Sequence, residues 1–119
     1  MKYRFAILLA SAVLSLPASL QAAQMKLSDL RDICAGTDEL STAACQFYIL
    51  GVTEGAGIGA GVAKDTSHFC IPEGVPAKQM VVIVKKAMTQ DLAAFPQDKD
   101  MPAVSFVAAS MQQAFPCGK

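Results

Sequence analysis

Four cysteines, Cys34, Cys45, Cys70 and Cys117, and a single histidine, His68, carry the most reactive side chains in the sequence. A thiolate acts as nucleophile or metal ligand only when free, and an even number of cysteines favours pairing. Their spacings lack the paired CxxC knuckles of a zinc site, and one histidine cannot complete a multi-histidine one. Structural disulfides are therefore expected, with no metal or other cofactor. A serine nucleophile would need His68 as its base, and His68 stands two residues before Cys70 in what reads as a connecting loop. Paired carboxylates, the acid and base of many hydrolases, occur as Asp38 with Glu39 and as Asp98 with Asp100. Both pairs fall in polar turns, where solvated charge accounts for them. Glu54, beside Gly55, suits a salt link to a lysine better than a general base with a raised pKa. The chain reads as a non-enzyme.

The glycines offer a second chemistry. GVTEGAGIGAGVAK, from Gly51 to Lys64, holds five of the chain's eight glycines. Gly55, Gly57 and Ala60 formally satisfy GxGxxA, but a dinucleotide loop needs a buried strand before it and a βαβ unit around it, and a helical pattern stands there instead. A Walker loop would need Gly-Lys-Ser/Thr, which Gly61-Val62-Ala63-Lys64 does not supply. Gly51, Gly55 and Gly59 recur at every fourth residue, a small-xxx-small ridge that lets two helices approach closely. Phe69, Met88 and Phe106 are the large side chains expected to fill it. The rival reading makes residues 57–63 a flexible or unwound end that exposes backbone N–H groups to a partner. Both readings point to contact rather than catalysis.

The elements that must position these residues are helical. The expected fold class is all-α, a small disulfide-stapled bundle of about four helices. A first helix starts near Ser28-Asp29, runs through Ile33 and Cys34, and ends at Gly36, which can take a left-handed cap. A second begins near Ser41, with Asp38 and Glu39 at the positive end of its dipole. Ala44, Tyr48, Val52 and Gly55 then share one face. The third is the clearest: Ile83, Val84, Ala87, Met88, Leu92 and Phe95 form an amphipathic stripe between Pro76 and Pro96. Lys78, Lys85, Lys86 and Asp91 fall mostly on its solvated side. Gln97–Met101 is a polar turn, and Pro102 opens a fourth helix that carries Phe106, Val107, Ser110 and Met111 and closes at Phe115-Pro116. So short a turn makes the third and fourth helices antiparallel neighbours.

That arrangement brings Cys117 back toward Cys70 and leaves Cys34 to pair with Cys45. Cys34 with Cys117 and Cys45 with Cys70 remains the fallback. Oxidation requires an oxidising compartment. Residues 1–22 read as a secretory signal: Lys2 and Arg4 precede an apolar run from Phe5 to Leu16, Pro17 ends it, and cleavage is expected after Ala22. Residues 23–119 then form one helical domain. Acidic residues slightly outnumber basic ones in that part, and no basic stripe suits nucleic acid. It holds no further apolar stretch of the roughly 18 residues a membrane span needs.

Three separated stretches carry a resemblance: Cys45-Gln46-Phe47-Tyr48-Ile49-Leu50-Gly51 with Gly55 following; Phe69-Cys70-Ile71-Pro72-Glu73-Gly74-Val75; and Ala114-Phe115-Pro116-Cys117. With the signal peptide they resemble the Rap/Tai immunity family of type VI secretion systems, and Phe95-Pro96 to Pro102-Ala103 is similar as well. The resemblance implies a small periplasmic helical protein that binds and blocks a cell-wall amidase toxin, often as a homodimer. The shared cysteines, glycines and prolines are scaffold and do not mark the binding surface. A rigid projection that occludes a cleft is what such a blocker needs. Two exposed turns are the candidates: Lys64, Asp65 and His68 in one, Asp98, Lys99 and Asp100 in the other. The competing class is a periplasmic acid-protective chaperone. Only 17% of residues are charged, and two bridges would lock a fold that such a chaperone must open; ANS binding at about pH 2 to 3 separates the two classes.

Overall fold

The computed structural model describes residues 23–63 and 69–118. Four α-helices account for most of them: α1 (Leu27–Ala35), α2 (Glu39–Ala63), α3 (Ala77–Ala94) and α4 (Ala103–Ala114), with a short 3-10 helix, Pro96–Asp100, joining the last two. The fold is all-α and stapled by two disulfides. The proposed signal, residues 1–22, lies outside the described residues.

Each helix buries one stripe. Leu27, Leu30 and Cys34 of α1 meet Cys45 and Ile49 of α2, Met80, Val84 and Met88 of α3, and Ala103, Phe106, Val107 and Met111 of α4. Leu27, Leu30, Ile49, Val84, Val107 and Met111 are fully enclosed. Burying each such side chain contributes roughly 1.5–3 kcal/mol, offset largely by chain entropy. Two hydroxyls enter the core without harm because each bonds one turn back: Thr53 Oγ1 donates to the Ile49 carbonyl at 2.8 Å and Ser110 Oγ to that of Phe106 at 2.9 Å.

The disulfides follow the first of the two pairings. Cys34 joins Cys45, with Cα atoms 5.0 Å apart, and Cys70 joins Cys117, with Cα atoms 4.8 Å apart. The first closes a separation of 11 residues and ties α1 to α2 inside the core. The second closes 47 residues nearer the surface, where the Cys70 N–H also donates to the Phe115 carbonyl at 2.8 Å. Chain-entropy reasoning assigns them about 3 and about 4 kcal/mol.

Several local expectations need correction. Gly36 is extended, at φ −62°, not left-handed. Glycine is required there for space: a Cβ at Gly36 would press on Ser41 Cβ and come within 2.6 Å of its Oγ. Helix α2 starts earlier than expected, at Glu39, because the Asp38 carboxylate accepts from the Ser41 N–H at 2.9 Å and so acts as its cap. The Ser41 hydroxyl first, and then this backbone hydrogen bond, hold the Asp38 carboxyl below its ordinary value. The left-handed glycine of this fold is Gly74, at φ +86°, in the Pro72–Val75 turn that leads into α3. A single antiparallel bridge, Lys26 with Pro102, ties the start of α1 to the start of α4. It comprises Leu27 N–H to the Met101 carbonyl and Ala103 N–H to the Met25 carbonyl, both 2.9 Å.

Candidate protein-binding surfaces

The glycine ridge is not a packing seam within the chain. Gly51, Gly55 and Gly59 face outward, and a Cβ added at any of them would meet nothing within 4 Å. Met88 and Phe106, expected to fill the ridge, lie in the core instead. The rival reading fails too, since residues 57–63 continue the helix. The cause is the phase of the stripe. Cys45, Ile49 and Thr53 are the buried line of α2, and one turn of 3.6 residues places the glycines on the far side of it.

Apart from Glu54, exposed on the line between Phe47 and Ile58, that outward face is apolar. Phe47 is 71% exposed, Ile58 70% and Val62 80%. Between Phe47, Tyr48, Gly51, Val52 and Gly55 of α2 and Val104 of α4 runs a groove of about 510 Å³ with almost no polar atoms in its walls. The glycines form its floor because they lack side chains. Partial burial pushes the Tyr48 phenol above its ordinary value. Single exposed apolar residues are commonplace, but a contiguous patch of this kind marks a contact surface.

A second surface forms where α3 meets the 3-10 helix. The sequence places Asp98, Lys99 and Asp100 in one exposed turn, and the structure makes that turn rigid: Asp98 N–H donates to the Phe95 carbonyl and Met101 N–H to that of Asp98, both at 3.0 Å. Asp100 is not free, because Lys26 Nζ lies 2.9 Å from its Oδ1. This hydrogen bond and the attraction of the charges hold the Asp100 carboxyl low and raise the Lys26 ammonium. Asp98 is half-buried beside Asp91 of α3. The sequence put Asp91 on the solvated side of its helix, yet its Oδ2 is cut off from water and makes no hydrogen bond among the described residues. Only the chain reversal after Phe95 brings Asp98 back against it. The third group of candidates, Lys64, Asp65 and His68, lies outside the described residues.

Among the described residues no group of three His, Cys, Asp or Glu side chains is arranged to hold a metal ion, and no helix is long and apolar enough to cross a membrane. What the fold displays is a covalently braced helical body with an apolar helix face at one place and a rigid acidic corner at another, features of a protein that binds proteins. Residues 26–117 match the Rap1a immunity proteins, and the chain belongs to that family. The match runs from the lysine that precedes α1 to the final cysteine, and so takes in all four helices and both disulfides. No curated protein and no solved structure matches the chain.

Proposed function

We propose that this chain is exported to the periplasm by residues 1–22 and there, as a homodimer, binds and blocks a peptidoglycan amidase toxin delivered by a type VI secretion system. The observation that carries this reading is the family match across the whole stapled body. The disulfides agree with it, because they require an oxidising space such as the periplasm. Rigidity suits a blocker, because loops fixed before they meet the target lose less entropy on binding.

The outward face of α2 supports the dimer. Bulky Phe47 lines the glycine floor, and exposed Ile58 lies further along the same helix surface. A two-fold axis across that surface sets each copy's large side chains against the other's glycines, the self-complementarity that an isologous interface needs. The rigid 97–100 turn, on a different part of the molecule, then remains free for the toxin.

The test is protection. Type VI cell-wall amidases are sent one at a time to the periplasm of a sensitive host, with or without this chain. Growth restored by the full chain, and lost when residues 1–22 are removed, is the expected outcome. Lysis by every amidase despite soluble chain in the periplasm refutes the reading. Light scattering checks the dimer, which Gly51→Leu should dissociate by filling the groove floor.

A further inference from the structure

The two disulfides stand in opposite surroundings. Cys34 and Cys45 are each only 3% exposed, and they belong to α1 and α2, whose inner faces meet in the core. A reductant cannot reach that bond without opening the fold. Cys70 is exposed and Cys117 half-buried, and both lie outside the helices. Their bond joins the segment leading into α3 to the segment leaving α4, and so staples the open end of the hairpin whose closed end is the 97–100 turn.

That staple has support running beside it. The Cys70 N–H donates to the Phe115 carbonyl at 2.8 Å, and Phe69, Ile71, Val75 and Phe115, from the same two segments, pack against the core. The neighbouring helices close on themselves before either cysteine is reached: Phe115 N–H donates to the Met111 carbonyl at 2.8 Å, and Gln79 N–H to that of Pro76 at 2.9 Å. These closures do not depend on the sulfur link. Cutting the bond therefore removes a constraint without uncovering the interior.

We infer that the bond between Cys70 and Cys117 is a redox latch, which a dithiol reductant opens while Cys34 stays bonded to Cys45 and the four helices stay folded. Access decides which disulfide is attacked. A thiolate of the reductant attacks the sulfur of Cys70, the more exposed partner; the bond to Cys117 breaks, and Cys117 leaves as a thiolate that takes up a proton. The second thiol of the reductant, once deprotonated, attacks the reductant's own sulfur in the mixed disulfide and releases Cys70. Two electrons have then passed to the protein, and the reductant is left as a disulfide. A low-molecular-weight disulfide such as oxidised glutathione reverses the exchange, leaving two thiols of its own. With the latch open, the base of the hairpin that presents the 97–100 turn is held by packing and by the Cys70 amide. The redox state of the compartment thus sets how firmly α3 and α4 are tied at that end.

The inference does not rest on the immunity reading, and its test needs no toxin. The full mature protein, with both bonds formed, is held under native conditions in dithiothreitol, quenched at intervals with iodoacetamide and mapped by mass spectrometry. Cys70 and Cys117 should be alkylated at least about tenfold faster than Cys34 and Cys45. The helical circular dichroism should persist while only the first bond is open. The melting temperature of that form should fall by roughly 10 °C, and oxidised glutathione should restore it. Cys70→Ser combined with Cys117→Ser should give the parent's helical signal with the same lowered melting temperature. The labelling order is read on the unsubstituted chain and so holds whatever that variant yields. Equal labelling of all four cysteines, earlier labelling of Cys34 and Cys45, or loss of the helical signal as the first bond opens would overturn the inference.

Discussion

The two halves of α2 belong to one helix and do opposite work. From Glu39 to Thr53 it is a structural beam: Cys45 is bonded to Cys34, Ile49 is fully enclosed, and the Thr53 hydroxyl closes on the turn below it. From Glu54 to Ala63 none of the residues whose burial is described is enclosed, glycine recurs, and Ile58 and Val62 point to solvent. Intrinsic propensity would dissolve the second half, since glycine inside a helix costs about 1 kcal/mol against alanine. The first half is held in place by the core and the disulfide, and the second propagates from it at the lower cost of extending an existing helix. The first half holds the fold together with its inner face and begins the apolar groove with its outer one, and the second half only extends that outer face.

That contrast predicts effects of opposite sign. The largest should come from the beam. Ile49→Ala should lower unfolding stability by about 3 kcal/mol in a denaturant titration, through lost burial and a cavity in a site with no room to collapse. A loss of under about 1 kcal/mol would mean that the first half is not core. Replacing Cys34 and Cys45 together by alanine should cost a comparable amount, about 3 kcal/mol. Both variants should keep the exposed face intact if the protein still folds.

The second half should respond in the other direction. Gly55→Ala and Gly59→Ala meet open space, so each should raise the stability of the monomer by up to about 1 kcal/mol. Gly55→Ala should also weaken the dimer, because Gly55 lines the floor of the groove. A variant that is both more heat-stable and more monomeric is the specific signature; stabilisation with dimerisation unchanged would place the interface elsewhere.

The smallest effect belongs to the surface tie between Lys26 and Asp100, both of them exposed. Lys26→Ala should leave the melting temperature nearly unchanged in salt, because solvent screens such a pair. The sign of its pH dependence is fixed. The lowered carboxyl of Asp100 contributes in full above its unfolded value and is lost as pH falls through the folded one; the raised ammonium of Lys26 contributes in full below its unfolded value and is lost as pH rises through the folded one. Any difference between the variant and the parent should therefore be confined to the range between those limits.

Much of this was legible in the residues. The stripe of α3 is repeated often enough that noise does not imitate it, and prolines mark its start and stop. The short α3–α4 connection brings Cys117 to Cys70, which leaves Cys34 for Cys45. Lys99 and Asp100 could be read as exposed because polar residues crowd their turn, whereas the half-burial of Asp98 could not. The outward glycines could not be read. A line of small residues looks the same whether it faces a neighbouring helix or solvent, and the choice depends on the rotation, about 100° about the helix axis, that places Ile49 rather than Tyr48 at the centre of the core. Asp91 was hidden for a different reason: its burial comes from Asp98 and α4 arriving after a chain reversal, a contact that no periodicity within α3 encodes.

By itself the sequence determined the helical class, a count of about four helices and that the thiols pair, and it favoured one pairing over another, because these depend on local periodicity, on terminating prolines, on an even set of thiols and on a short α3–α4 connection. Only the tertiary structure decided which way each helix is turned, and with it that the glycines form a surface and that a carboxylate oxygen of Asp91 is enclosed. Rotation about a helix axis alters no local hydrogen bond, so only packing against the other three helices can set it.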